Sequence, residues 1–100
     1  MDISAENIKN GRYYGYEEQS GQLVEECAEL IQAVSKFRRA GEDRNKREVV
    51  FNNLVEEIAD VEVMLEQIKV LLGIHPEDLT AVKQYKVNRT TERILGTHTV

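Results

Sequence analysis

The chain has 100 residues, with 13 Lys+Arg against 18 Asp+Glu, a net charge of −5 and a single proline. This length suits one small domain, which buries only roughly 60–70% of the surface its unfolded form exposes, so a partner subunit that covers more apolar surface is expected. The acidic balance argues against nucleic acid and anionic membrane surfaces as partners, because both need clustered basic residues.

Cys27 is the only cysteine, so no internal disulfide can form, and no Cys/His group has zinc spacing. Residues 1–10 carry Asp2 and Glu6 and no apolar block, unlike a secretory signal or transit peptide. No run approaches the roughly 18–20 apolar residues of a membrane span. A cytoplasmic protein is the expectation.

In chain order, residues 1–16 read as irregular, with Asn10-Gly11 as a turn signal and Gly15 among Tyr13, Tyr14 and Tyr16. From about Glu17 to Arg39 the apolar residues Leu23, Cys27, Leu30, Ile31, Val34 and Phe37 recur at helical spacing, and Gly41 follows as a stop. The polar stretch 40–47 reads as a connection. A second helix is predicted over about Glu48 to Leu72, with Val50, Leu54, Ile58, Val61, Leu65, Ile68 and Leu72 on one stripe and Gly73 at its end. Pro76, with Glu77 and Asp78 behind it, predicts a third helix from near His75 to about Arg93, and residues 94–100 read as a loose tail. No segment alternates as a half-buried strand does. The expected fold is a single all-α domain, an antiparallel helical hairpin plus a third C-terminal helix, completed as a bundle by oligomerisation.

Each long helix carries a tight acidic group: Glu25, Glu26 and Glu29 on the first, Glu56, Glu57 and Asp60 on the second. Carboxylates three apart share a face, so Glu26 with Glu29 and Glu57 with Asp60 form two pairs. At 100° per residue, the first member of each pair lies roughly 60–80° from the centre of its apolar stripe and the second roughly 120–140° away, in the same rotational sense. Antiparallel helices carry such flanks to the same side of the hairpin, so the four carboxylates can converge. Four ionised carboxylates in close range repel, and a divalent cation relieves them. Oxygen-only ligation selects a hard ion, Mg²⁺ first and Mn²⁺ second.

The runs Glu25-Glu26-Cys27-Ala28-Glu29-Leu30 and Glu56-Glu57-Ile58-Ala59-Asp60-Val61 resemble the E-x-x-E and E-x-x-D motifs of MazG-like all-α nucleoside triphosphate pyrophosphatases. The resemblance extends over roughly Gln19 to Arg93, and the 27 residues between Glu29 and Glu57 suit that pattern. It implies a homodimer or homotetramer in which Glu26, Glu29, Glu57 and Asp60 bind Mg²⁺. It also implies hydrolysis of a nucleoside triphosphate between its α and β phosphates, to a monophosphate and pyrophosphate. Two other readings stand beside it: an enzyme like the phosphoribosyl-ATP pyrophosphohydrolase of histidine synthesis, and a non-enzymatic interaction module of antitoxin or adaptor type.

A triphosphate needs cations beyond the metal. In the third helix the stripe Leu79, Val82, Lys86, Arg89, Arg93 changes from apolar to basic, which is expected either to meet phosphates or to leave the domain for solvent. Lys36, seven residues after Glu29, is a candidate phosphate contact or a partner for Glu29. Gln19, Gln22 and Asn53 lie near the acidic flank, where they could bond a base or water. The tyrosine cluster suits either base stacking or an end cover for the bundle. Cys27 reads as a packing residue and His75 as a helix-start residue.

Overall fold

The computed structural model describes residues 1–98 as three helices, α1 (Ile3–Arg39), α2 (Arg44–Leu71) and α3 (Pro76–His98), with no strand among them. The all-α expectation holds. Asp2 caps α1 by accepting from the Ala5 N–H at 3.0 Å, and Asp43 caps α2 by accepting from the Lys46 N–H at 3.1 Å. Such caps start both helices earlier than the apolar periodicity does, because their first turns are solvent-facing and polar. Residues 1–16, expected to be irregular, are helical from Ile3 on, and α2 begins at Arg44 rather than near Glu48. The tail expected to be loose from residue 94 continues α3 as far as His98, while residues 99 and 100 lie outside the described residues. At the end of α2 the Gly73 N–H donates to the Val70 carbonyl and the Ile74 N–H to the Lys69 carbonyl, the double bond of a Schellman ending.

Gly15 breaks α1 at φ 86°, ψ 170°. In an unbroken helix Asn7 and Gln19 would stand about 18 Å apart along the axis. Here the break brings both to Gln67 of α2: Gln67 Nε2 donates to Asn7 Oδ1 at 2.6 Å, and Gln19 Nε2 donates to Gln67 Oε1 at 2.8 Å. Asn7 Nδ2 also donates to the Val63 carbonyl at 3.0 Å and to Glu66 Oε1 at 2.9 Å, and Ser4 Oγ donates to Glu66 Oε2. These bonds from Asn7 and Ser4 hold the Glu66 carboxyl below its ordinary range. Gly11 is needed for the approach, since a Cβ there would stand 2.9 Å from Gln67 Cγ.

Among the described residues α1 and α2 are the only helices that pack together. Their interface runs from the Gln67 network to the hairpin tip, where Phe37 meets Phe51 at 6.2 Å between ring centroids and Arg47 lies 5.0 Å over the Phe37 ring. The apolar core is thin. Among the described residues Ala33, Val61 and Met64 are buried, and no large side chain is fully enclosed. The predicted stripes split: Leu23, Leu30, Leu54 and Ile68 turn inward at least partly, while Ile31, Val34, Ile58 and Leu65 remain exposed.

Among the described residues α3 does not pack its backbone against either long helix, and of the stripe expected to face inward Leu79 is half-buried while Val82, Lys86 and Arg89 are exposed. With α3 standing off the hairpin, the radius of gyration is 17.6 Å, against about 13 Å for a compact chain of this length. None of the described helices is long and apolar enough to cross a membrane.

The backbone at Gly15 lies in a region that side chains with a Cβ enter at a cost of about 1–3 kcal/mol. Gly15→Ala should lower unfolding stability by that amount in urea titration, although a Cβ at this position would meet no neighbouring atom. A variant as stable as the parent would show that the break is not required.

Candidate metal centre

One turn of each long helix builds the centre. Glu26 and Glu29 project from one flank of α1, Glu57 and Asp60 from the matching flank of α2, and one carboxylate oxygen of each lies within 4.8 Å of the others. Glu29 faces Glu57 and raises its carboxyl pKa, and Glu26 faces Asp60 and does the same. Gln19 opposite Gln67 belongs to the same register, each step forward on α1 matching a step back on α2.

Glu26 and Glu57 are half-buried at the margin of the helix interface, and Glu29 and Asp60 are exposed. Gln22 Nε2 donates to Glu26 Oε1 at 2.8 Å, which fixes that side chain and leaves its second oxygen inward. Among the described residues, Oε2 of Glu26 and Oε2 of Glu57 are both buried without a hydrogen-bond partner. Carboxylate oxygens removed from water need a donor or a cation. Burial, and then the charges of Glu29 and Asp60, push the Glu57 carboxyl above its ordinary 4.5, while burial and then Glu26 push Asp60 above 3.8. This donor set, oxygen only and crowded with negative charge, fits a hard divalent cation.

The other candidates are placed more widely. Asn53 is half-buried one turn before Glu57, on the flank where α1 and α2 meet. Gln19 is buried, with its amide nitrogen engaged by Gln67. Lys36 lies about 10 Å beyond Glu29 along α1, where it lines a shallow groove of about 500 Å³ at the hairpin tip with Arg39, Lys46 and Val49. Lys86 and Arg89 ride on α3 and are not brought to the carboxylates within one chain, and the Arg89 guanidinium lies 5.7 Å from the centre of the Tyr85 ring. Cys27 is a free, half-buried thiol. Tyr13 and Tyr14 meet edge to face at 5.0 Å and are both exposed.

Sequence reasoning passed over Asn7, Glu66 and Gln67, whose network sets the register that aligns the carboxylates. One signal was available: Gln67 lies three residues after Met64, where the helical period puts an inward position.

No family model matches the chain, and neither a curated protein nor a solved structure does. The geometry of the four carboxylates therefore carries the functional argument.

A carboxyl whose folded pKa is raised favours the folded state while protonated, and that advantage is lost as pH rises through the folded value. Metal-free protein should accordingly lose stability as pH climbs from the ordinary carboxylate range near about 4 through the raised values of Glu57 and Asp60. Glu66 has the opposite sign and costs stability only as pH falls through its lowered value. Mg²⁺ or Mn²⁺ at a hundredfold excess over its Kd should restore about 2.7 kcal/mol. Thermal unfolding across pH, in chelator and in millimolar Mg²⁺, measures both effects; Glu57→Gln should flatten the fall in stability that begins above the ordinary carboxylate range and remove the response to the cation.

Proposed function

We propose that the protein is a Mg²⁺-dependent nucleoside triphosphate pyrophosphohydrolase of MazG-like type, which cleaves between the α and β phosphates to give a nucleoside monophosphate and pyrophosphate. The observation that carries the reading is the convergence of Glu26, Glu29, Glu57 and Asp60 within 4.8 Å, with an unpartnered buried oxygen on each of Glu26 and Glu57. The same four residues are those of the E-x-x-E and E-x-x-D motifs. A solvated acidic face would need neither the convergence nor the buried oxygens.

In this reading the four carboxylates would hold the metal, and Gln22, bonded to Oε1 of Glu26, would keep the other oxygen turned toward it. A divalent cation bound there would neutralise triphosphate charge and lower the pKa of a water. Water attacks the α-phosphorus and gives up a proton to solvent, the bond from that phosphorus to the bridging oxygen breaks, and pyrophosphate leaves with the electron pair. Lys36, Lys86 and Arg89 bind the phosphates, and Asn53 lies at the flank from which a base would enter.

The pocket is completed by a second copy of the chain. On α1, Val24, Ile31 and Val34, and on α2, Val55, Ile58 and Leu65, are exposed. At 100° per residue they lie roughly 110–190° around their helices from the acidic pairs. Both sets thus fall on the side of the hairpin away from the carboxylates. Apolar faces of two hairpins, brought together there, make a four-helix core and leave the acidic flanks open. α3, unpacked on its own hairpin, is available to carry Lys86 and Arg89 to such a flank.

A panel of nucleoside triphosphates incubated with Mg²⁺ and assayed for monophosphate and pyrophosphate tests the reaction. Glu57→Gln should lower kcat by at least a thousandfold while the circular dichroism stays helical. Turnover retained in Glu57→Gln would remove the metal centre from the mechanism, and no turnover of any triphosphate by the parent would favour the interaction module.

A further inference from the structure

The joint between the hairpin and α3 encloses a cleft of about 290 Å³, lined by residues other than the four carboxylates. Its apolar lining comes from all three helices and the linker: Ile8 of α1, Val70 of α2, Ile74, and Leu79 of α3. Glu66, Lys69, Thr80 and Lys83 supply the polar groups. A small, mostly apolar cavity with a few convergent polar groups is the usual form of a small-molecule site.

We propose that this cleft binds a small apolar monoanion, in chemical class a medium-chain carboxylate, and that its occupation fixes α3 against the hairpin. The charges select the sign. Both oxygens of Glu66 already accept hydrogen bonds, from Asn7 and from Ser4, and its charge is met by that of Lys69. Lys83 has no hydrogen bond or ion pair among the described residues, so the lining itself carries two lysines against one glutamate, with Asp2 the further carboxylate that acts on Glu66 from outside the cleft. A carboxylate at the mouth would meet Lys83, with the Thr80 hydroxyl beside it as a donor, and the chain would lie on Ile8, Val70 and Leu79. Each methylene buried there strengthens binding roughly fourfold.

The consequence for α3 follows from its lack of other support. No helix packing holds it, and residues 72–75 are its only covalent tie to α2. An occupant that touches α1, α2 and α3 together adds apolar contact across a joint that otherwise has little, and so selects one orientation of the helix that carries Lys86 and Arg89.

Methyl-resolved NMR of the full chain, titrated with octanoate below its micellar concentration and in parallel with octanol, tests the proposal without reference to any activity. Octanoate should shift the Ile8, Val70, Ile74 and Leu79 methyls saturably, and cross-relaxation between Ile8 and Leu79 should grow. Lys83→Gln should weaken octanoate at least tenfold and leave octanol unchanged, and Thr80→Phe, at an exposed helix position, should block both. Equal affinity for octanoate and octanol would overturn the anion site. So would shifts of the same size at Ile31 and Ile58, which would mean adsorption on the open apolar face. Movement of the four cleft methyls on dilution without octanoate would show the cleft to be filled by a second copy, and overturns the proposal as well.

Discussion

The side-chain amide of Gln67 ties two parts of α1 to one point of α2, donating to Asn7 and accepting from Gln19. Everything at the acidic centre depends on that registration. A shift of one residue between the helices would turn each carboxylate by about 100° relative to its partner and move it by 1.5 Å, which would separate Glu26 from Asp60 and Glu29 from Glu57. An apolar contact at position 67 would tolerate such a shift; a buried amide with both ends bonded does not, because any slip leaves a buried polar group unsatisfied. The break at Gly15 and the missing Cβ at Gly11 let α1 reach the amide from both sides.

The carboxylate cluster stores the opposite kind of energy. The Gln67 amide is bonded at both ends, whereas Glu26 and Glu57 each keep a buried oxygen without a donor among the described residues, and the carboxyls of Glu57 and Asp60 are pushed toward the protonated form. One helical hairpin thus combines a satisfied polar network that defines geometry with an unsatisfied one that this geometry forces together. Local conflict of this sort, held in place by a well-bonded neighbourhood, is what a binding centre requires.

A third feature is how little of the apolar surface the chain covers by itself. The three buried apolar residues among those described do not make a core for a domain of this size, and Val24 and Ile31 remain about 70% exposed. The hydrophobic pattern is nevertheless regular on both helices. Its outward half lies away from the carboxylates, so a second hairpin can cover it while leaving the acidic flank open. α3 adds to the incompleteness: it is amphipathic at its start, basic further on, and unsupported by either long helix.

Periodicity made three helices legible, because apolar residues at spacings of three and four admit no other regular structure, and Gly41, Gly73 and Pro76 mark their limits. It failed at residues 3–14, where the exposed turns around Tyr13 carry no stripe, and at the start of α2, where an aspartate cap outweighed the polar composition. The acidic centre was legible as well, since equal offsets from two stripes on antiparallel helices can bring four carboxylates to one side of the hairpin. Undecided at that level was which half of each stripe is covered within the chain: spacing records that a residue is apolar but not whose surface it meets. Helical period and carboxylate spacing are local properties and belong to the sequence. The register held by Gln67, the bend at Gly15, the burial of one oxygen on each of Glu26 and Glu57, and the separation of α3 from the hairpin depend on contacts between distant residues, and only the tertiary structure decided them.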